Sequence, residues 1–404
     1  MLYKRKIVKE IQEYLFTQDI IVLHGARQVG KTHILYYIKE FLEKNKERTF
    51  FIDLEDSRFV DILDKGVEEF VNLLEEEGFD IDVSKGRVFV FIDEIQYLKN
   101  PSSFLKIVHD HYDSIKLIVS GSSSFEIREK FSDSLVGRTV NFEIFPLSFE
   151  EFLVFRGYIF ERKNKAFTQK KQEELRELFF EYVLFGGYPK IALTTDRKKK
   201  EKYLQQIIDT YIRKDIRDLA DIRDIDKFNK LVETLASQSG NLLNVSELAN
   251  TCKLSSVTVD RYLFILENTY IIKLVHPFSS NIRSELFKIP KIYFYDSGIA
   301  QMLWLKSLQK EVMGNIFETS IFSELVKQFG KDTVLFWRTK DGKEIDFIVR
   351  NGQEILPIET KLHFGQSHSS ALRYFQEKYS VKNWRIIGLK GFPLHTWEIY
   401  PWDI

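Results

Sequence analysis

The chain has 404 residues, and its 59 Lys plus Arg balance 59 Asp plus Glu, so the formal net charge is zero. That balance excludes a uniformly polybasic binder but leaves room for a local basic face. An apolar fraction of 44% with 14% aromatics excludes a disordered chain, and the length predicts two to three domains. The lone cysteine, Cys252, excludes an internal disulfide and a cysteine-based zinc cluster, and points to a reducing, cytoplasmic setting.

Glu10, Gln12, Glu13 and Asp19 interrupt any secretion-signal core near the basic N-terminus. No run approaches ~18 apolar residues, so no membrane span is expected. The first apolar run, 19–24, enters a glycine turn and reads as a strand buried on both faces. Similar runs at 49–54, 88–93, 116–120 and 140–145 alternate with helical patterns at 31–45, 58–78, 102–113 and 122–131. That alternation predicts an α/β domain over 1–147 with a doubly wound parallel sheet.

Gly25-Ala-Arg-Gln-Val-Gly30-Lys31-Thr32 matches G-x-x-x-x-G-K-[ST] at every fixed position, after a predicted strand and before a predicted helix. In such a P-loop, backbone N–H groups wrap phosphates and the helix N-terminus adds its dipole. Gly25, Arg27, Gln28, Val29, Gly30, Lys31, Thr32 and His33 are therefore expected to bind ATP, with Lys31 reaching the β- and γ-phosphates and Thr32 ligating Mg²⁺. The run Val88–Ile92 ends in Asp93-Glu94, a buried strand delivering Asp93 to the Mg²⁺ shell. Glu94 is suited to orient and deprotonate the attacking water; its alternative role is to cap the next helix. After the strand 116–120, Ser122 is read either as a γ-phosphate sensor or as a helix N-cap. Arg138 is a candidate arginine finger, acting on its own ATP or a neighbour's, or else an ordinary surface arginine. The extra strand between the phosphate loop and the Asp-Glu strand, and a polar residue after the next one, resemble the AAA+ ATPases. That resemblance also suggests a homo-oligomer.

From 148 to 235 the pattern is helical, with a sharp break at Gly186, Gly187 and Pro189. Residues 236–310 read as winged-helix-like: two helices with Ser246 and Ser255 as N-caps, then strand-like runs Tyr270–Val275 and Lys291–Tyr295. The second helix offers Arg261 and Thr258 to a nucleic acid, while Asp260 and Glu267 oppose phosphate, so inter-domain packing is the better reading. The basic run Arg197–Lys200 lies on a predicted helix, either touching phosphates without reading sequence or simply solvated. Residues 1–150 carry 20 basic and 27 acidic side chains and residues 151–310 carry 27 and 20, so any salt-sensitive contact with nucleic acid is expected on the middle region.

The last segment, 311–404, reads as a helix (316–329), strands at 334–338, 344–350 and 354–360, a helix (368–378) and strands at 384–389 and 396–400. Asp346 lies on one strand and Glu359 and Lys361 share a face of the next, a pattern suited to Mg²⁺-assisted phosphodiester hydrolysis. Glu318 is a further candidate ligand.

Asp346 followed by Glu359-Thr-Lys361 resembles the PD-(D/E)XK restriction-endonuclease-like fold. Gly314-Asn-Ile-Phe-Glu318, Trp337-Arg338 and Gly342-Lys-Glu-Ile-Asp346-Phe are similar to a C-terminal module of unknown function fused to AAA-type ATPases in bacteria and archaea. Pro146-Leu-Ser-Phe-Glu-Glu-Phe152 and Gly186-Gly-Tyr-Pro189 agree with that family, so the resemblance covers nearly the whole chain. Together these readings make Glu94, Lys31, Arg138, Glu359 and Lys361 the candidate catalytic groups, and Thr32, Asp93, Glu318, Asp346 and Glu359 the candidate metal ligands. One departure is Thr360, where an aliphatic is usual; strand alternation predicts that it points to the opposite face. The expected function is a Mg²⁺-dependent ATPase coupled to a nuclease-like domain acting on or binding DNA. The alternative is a nucleotide-dependent assembly switch with an inert C-terminal domain.

Overall fold

The computed structural model describes residues 2–121, 135–158, 167–216, 222, 224–279, 289–365 and 370–404. The chain falls into two compact units, Met1–Phe145 and Pro146–Ile404.

The described residues of the first unit build a five-stranded parallel sheet from β1 (Ile20–Gly25), β2 (Arg48–Asp53), β3 (Val88–Asp93), β4 (Ile115–Gly121) and β5 (Thr139–Ile144). The strand order is β2-β3-β4-β1-β5. β3 and β4 are buried at every position, as their continuous apolar runs require in a sheet covered on both faces. Val22, Ile52, Phe70, Val90, Leu105 and Val119 belong to one core cluster. The chain leaves β1 toward β2 at one edge and leaves the neighbouring β4 toward β5 at the other, so the connections diverge between β1 and β4. The crevice beyond the carboxyl ends of the strands at such a switch point is where open α/β sheets bind ligands.

Helix α1 (Ile7–Gln12) was not expected; it buries Val8 and Ile11. α2 (Lys31–Lys44) follows β1 as the motif requires. The single helical pattern at 58–78 is two helices, α3 (Ser57–Leu63) and α4 (Val67–Glu76), separated at Gly66 with φ 135°. The periodicity ran through a residue whose backbone breaks the helix. α5 (Pro101–His111) precedes β4. The helix expected at 122–131 lies outside the described residues.

The second unit opens on α6 (Phe149–Phe155), started by a capping box in which the Ser148 side chain accepts from the Glu151 N–H while Glu151 accepts from the Ser148 N–H. Then come α7 (Gln169–Phe185), α8 (Pro189–Leu193), α9 (Arg197–Ile207, continued as a π-helix over Ile208–Asp215) and α10 (Ile225–Ser237). The break between α7 and α8 is set by Asp296. Its buried carboxylate accepts from the Gly187 N–H at 2.7 Å, and a Cβ on Gly186 would lie 2.1 Å from its Oδ1.

α11 (Val245–Cys252) and α12 (Ser256–Asn268) lead into the antiparallel pair β6 (Ile272–Val275) and β7 (Lys291–Phe294). Ser255 caps α12 as expected, but α11 is capped by Asn244 rather than Ser246. The asparagine oxygen accepts from the Glu247 N–H, placing the helix start earlier in the sequence. α13 (Ser297–Leu305), capped by Asp296, is an addition to the expected elements.

After α14 (Gly314–Phe329) comes a second sheet of β8 (Val334–Arg338), β9 (Glu344–Asn351), β10 (Glu354–His363), β11 (Arg385–Lys390) and β12 (Glu398–Ile399), with α15 (Ser370–Tyr379) inserted before β11. Its described order is β12-β11-β10-β9-β8. β8, β9 and β10 pair antiparallel, whereas β11 joins β10 in parallel. Among the described residues no helix is long and apolar enough to cross a membrane.

Candidate functional site

The phosphate loop begins where β1 touches β5. Gly25 has φ 154°, and a Cβ there would meet the Ile144 carbonyl oxygen at 2.1 Å, so the close approach of the two strands admits glycine alone. Gln28 (φ 62°) and Gly30 (φ 99°) bend the loop back to α2, whose first turn holds Lys31, Thr32 and His33. The buried Lys31 ammonium donates to the Gly25 carbonyl at 3.0 Å and the Ala26 carbonyl at 2.9 Å, lying inside the loop's concavity. Burial draws its pKa below the ordinary lysine value, against the raising influence of Glu94 and Asp93.

Asp93 closes β3, buried beside β4. Its Oδ1 accepts from the Ser120 hydroxyl and, at 3.1 Å, from the Glu94 N–H. Glu94 sits at φ 54°, a strained backbone for a non-glycine residue, and its Oε2 accepts from the Gln96 side-chain amide. Asp53 ends β2 directly across from Asp93. Glu55 follows it, its carboxyl pushed up by burial and by Asp53 and Glu94, while Arg27 pulls the other way. Arg27 thus stands near these acids and bonds with Tyr97.

Sequence reasoning missed two contributors. Ser120 reads as the last residue of a strand, yet it holds Asp93; Ser122, the expected sensor, lies outside the described residues. Arg5 belongs to no motif. Its buried guanidinium donates to the Val29 carbonyl inside the loop and to the Phe145 carbonyl, both at 2.9 Å.

Arg138 is not brought to the loop. It precedes β5 at the amino-terminal edge of the sheet, with its own carbonyl accepting from the Ile20 N–H. The strand β1 separates it from Gly25, roughly 20 Å at the usual rise per residue. Its guanidinium holds Asp110 through two bonds of 2.7 and 3.0 Å, and the Asp110 carboxyl is pulled well below the ordinary range. A finger acting within the same chain is therefore corrected to a structural ion pair.

What this first site can do follows from its donors. Backbone amides and a helix start suit phosphate oxygens, Lys31 supplies a cation, and Thr32 and Asp93 offer the hard oxygens that Mg²⁺ takes. These residues fit Mg²⁺-ATP.

The C-terminal set lies in the second unit where two strands part. The β9–β10 ladder runs from Asn351 opposite Glu354 to Phe347 opposite Ile358, and Asp346 and Glu359 lie just beyond its last pair. There Asp346 Oδ2 accepts from the Thr360 N–H at 2.7 Å and from its hydroxyl at 2.8 Å. This corrects the expectation that Thr360 faces away. The carboxylate takes the acceptor place that a ladder carbonyl would have held, and the threonine hydroxyl bonds the same oxygen. Lys361 Nζ lies 3.1 Å from Glu359 Oε2. Burial works against the Lys361 charge, but Glu359, Asp346 and Glu318 outweigh it and raise its pKa.

Glu318, on α14, joins this group electrostatically: burial and Asp346 push its carboxyl up to about 7. Its Oε1 accepts from the Tyr293 hydroxyl at 2.5 Å and lies 3.5 Å from Lys291 Nζ. Lys291 is itself buried and 2.6 Å from Glu344, which also pairs with Arg338 at 3.2 Å. Tyr293 and Lys291 come from β7, before the segment assigned to this site, and nothing in the linear pattern marks them. Among the described residues no group of three or more His, Cys, Asp or Glu side chains is arranged to hold a metal ion.

The basic run on α9 is not one charged face. Lys200 is buried, paired with Glu181 and 4.5 Å over the Phe185 ring. Arg197 donates to the Leu308 and Gln309 carbonyls at 2.7 and 2.9 Å. Lys200→Met is expected to cost about 1 kcal/mol of stability by taking from Glu181 its buried partner and leaving it Arg156 alone, whereas Lys198→Ala should cost less than ~0.5 kcal/mol. Urea denaturation of the two variants checks this; equal stabilities would remove the distinction.

Residues 17–153 match the family described as AAA domain. Residues 176–311 and 313–397 match two families described as domains of unknown function, DUF8612 and DUF4143. An uncharacterized protein of Methanocaldococcus jannaschii is 28% identical over 356 residues, covering 86% of this chain and 76% of its own length. An uncharacterized protein of Haemophilus influenzae is 25% identical over 368 residues, covering 89% and 86%. Among solved structures, AMPPCP-bound DnaA from Aquifex aeolicus is similar at 17% identity and a TM-score of 0.29, covering 64% of this chain and 86% of that one. The chain thus carries an AAA-type P-loop ATPase domain at its N-terminal end and a DUF4143 domain at its C-terminal end, and its curated relatives are themselves uncharacterized.

Proposed function

We propose that the chain is a Mg²⁺-dependent ATP hydrolase whose nucleotide cycle acts on a restriction-endonuclease-like C-terminal domain that engages DNA. The observation that carries the ATPase half is the buried Lys31 ammonium within the Gly25–Gly30 loop, under the influence of Asp93 and Glu94. Thr32 and Asp93 would hold Mg²⁺, which would supply charge neutralisation at the phosphates. Arg27, Gln28, Val29 and Gly30 wrap them with backbone amides, His33 follows on the first turn of α2, and Glu94 accepts the proton of the attacking water. The DNA half rests on Asp346, Glu359, Lys361 and Glu318 acting on one another. Segments 148–235, 236–310 and 311–404 act as helical connector, winged-helix-like unit and nuclease-like unit, and a homo-oligomer offers Arg138 a neighbour's nucleotide.

The deciding measurement is phosphate release from Mg²⁺-ATP with and without linear or branched DNA. Stimulation by DNA supports the coupled reading, and slow turnover indifferent to DNA supports a switch that assembles partner proteins. One observation favours the switch: each carboxylate of the C-terminal set already accepts hydrogen bonds or ion pairs from the protein itself.

A further inference from the structure

We propose that Lys291 is the built-in counter-cation of the C-terminal carboxylate site, standing where a Mg²⁺-dependent nuclease would hold its metal. The inference rests on reading Glu318, Asp346 and Glu359 as one site.

Three observations converge. First, the Lys291 ammonium is buried and reaches two acids at once, Glu344 at 2.6 Å and Glu318 at 3.5 Å. Burying an ammonium is costly unless carboxylates surround it, and here two carboxylates stand within ion-pair distance of it. Second, one oxygen of each acid expected to bind a metal is already engaged by the protein. Glu318 Oε1 takes the Tyr293 hydroxyl, Asp346 Oδ2 takes both donors of Thr360, and Glu359 Oε2 takes Lys361. Mg²⁺ demands near-octahedral oxygen ligands and gives up water reluctantly, and an ammonium sharing a carboxylate with a divalent cation repels it. The donor set therefore does not fit a metal while Lys291 is in place. Third, Lys291 is anchored on β7, paired with Val275 of β6, and its stem leads to an ammonium 5.6 Å from the Phe336 ring. It is a fixed part of the wall, delivered by a strand that precedes the C-terminal segment.

The consequence is chemical. Without a divalent ion the site lacks the Lewis acid and the metal-activated water that phosphodiester cleavage of this type uses. What remains is a set of lysines and acids suited to holding a shape or a partner, not to cutting a strand.

The test uses the full-length chain carrying Asp93→Asn and no nucleotide, so that the phosphate-loop ligand is removed, with Mn²⁺ as the probe followed by electron paramagnetic resonance. With Lys291 present, no saturable Mn²⁺ binding is expected up to about 1 mM. Adding Lys291→Met should create one Mn²⁺ site per chain, with affinity at least ~10-fold above that background, lost again with Asp346→Asn. Mn²⁺ binding that Asp346→Asn removes while Lys291 is intact would overturn the proposal. So would a Lys291→Met chain with unchanged circular dichroism that binds none. Should that variant fail to fold, the titration of the Lys291 chain decides alone. Binding in Lys291→Met that ignores Asp346→Asn would sink the one-site reading instead. Neither result touches the ATPase assignment, which Lys31 tests separately.

Discussion

Lys31→Ala is expected to lower ATP turnover by about 10²–10³-fold, the usual loss when a preorganised charge facing a developing anion is removed. The ammonium is poised by the loop itself, bonded to the Gly25 and Ala26 carbonyls in a buried setting. When phosphate oxygens arrive, the exchange is from neutral carbonyls to charged oxygens, a gain in bond strength. Alanine removes that gain and also leaves two carbonyls of the loop without their donor, so both nucleotide affinity and turnover fall. Phosphate release at saturating Mg²⁺-ATP, with a fluorescent nucleotide for affinity, measures both. Turnover unchanged in the variant would falsify the assignment of the site.

Glu94→Gln is expected to separate the two quantities. The amide keeps the size and an acceptor oxygen near Gln96, and glutamine tolerates the φ of 54° as glutamate does. It cannot take a proton at neutral pH. Turnover should drop by roughly 10²–10⁴-fold, while nucleotide affinity stays within ~3-fold of the parent. The outcome contrasts with Lys31→Ala, which weakens both. If Glu94 only capped the following short helix, the variant would hydrolyse ATP at close to the parent rate.

The legible parts of the sequence were those where one local rule suffices. The runs 88–93 and 116–120 were readable as strands because burial on both faces leaves no alternation, and the glycine spacing of 25–32 marks a loop with few other uses. Asp346, Glu359 and Lys361 were readable because a period of two fixes who faces whom within a strand. Failures came where a distant partner decides. Thr360 was placed on the wrong face because the parting of β9 from β10 cannot be seen along either strand. Lys200 was counted among exposed cations because nothing near it in sequence announces Glu181 and Phe185. Lys291 and Tyr293 were read as strand residues, since the acids they meet lie 25 and more positions further on. Arg138 stands at the wrong edge of the sheet for its own chain's nucleotide, which only strand direction reveals.

Arg5 has a practical bearing on how this protein can be handled. Its guanidinium fills a place between the Val29 and Phe145 carbonyls that solvent does not reach. The basic leading segment thus sets one buried side chain, Arg5, behind the phosphate loop. Trimming the first half-dozen residues, or crowding them with a fused tag, would remove the Arg5 bonds to these two carbonyls and slacken the loop from behind. Preparations that differ only at that end would then differ in nucleotide affinity.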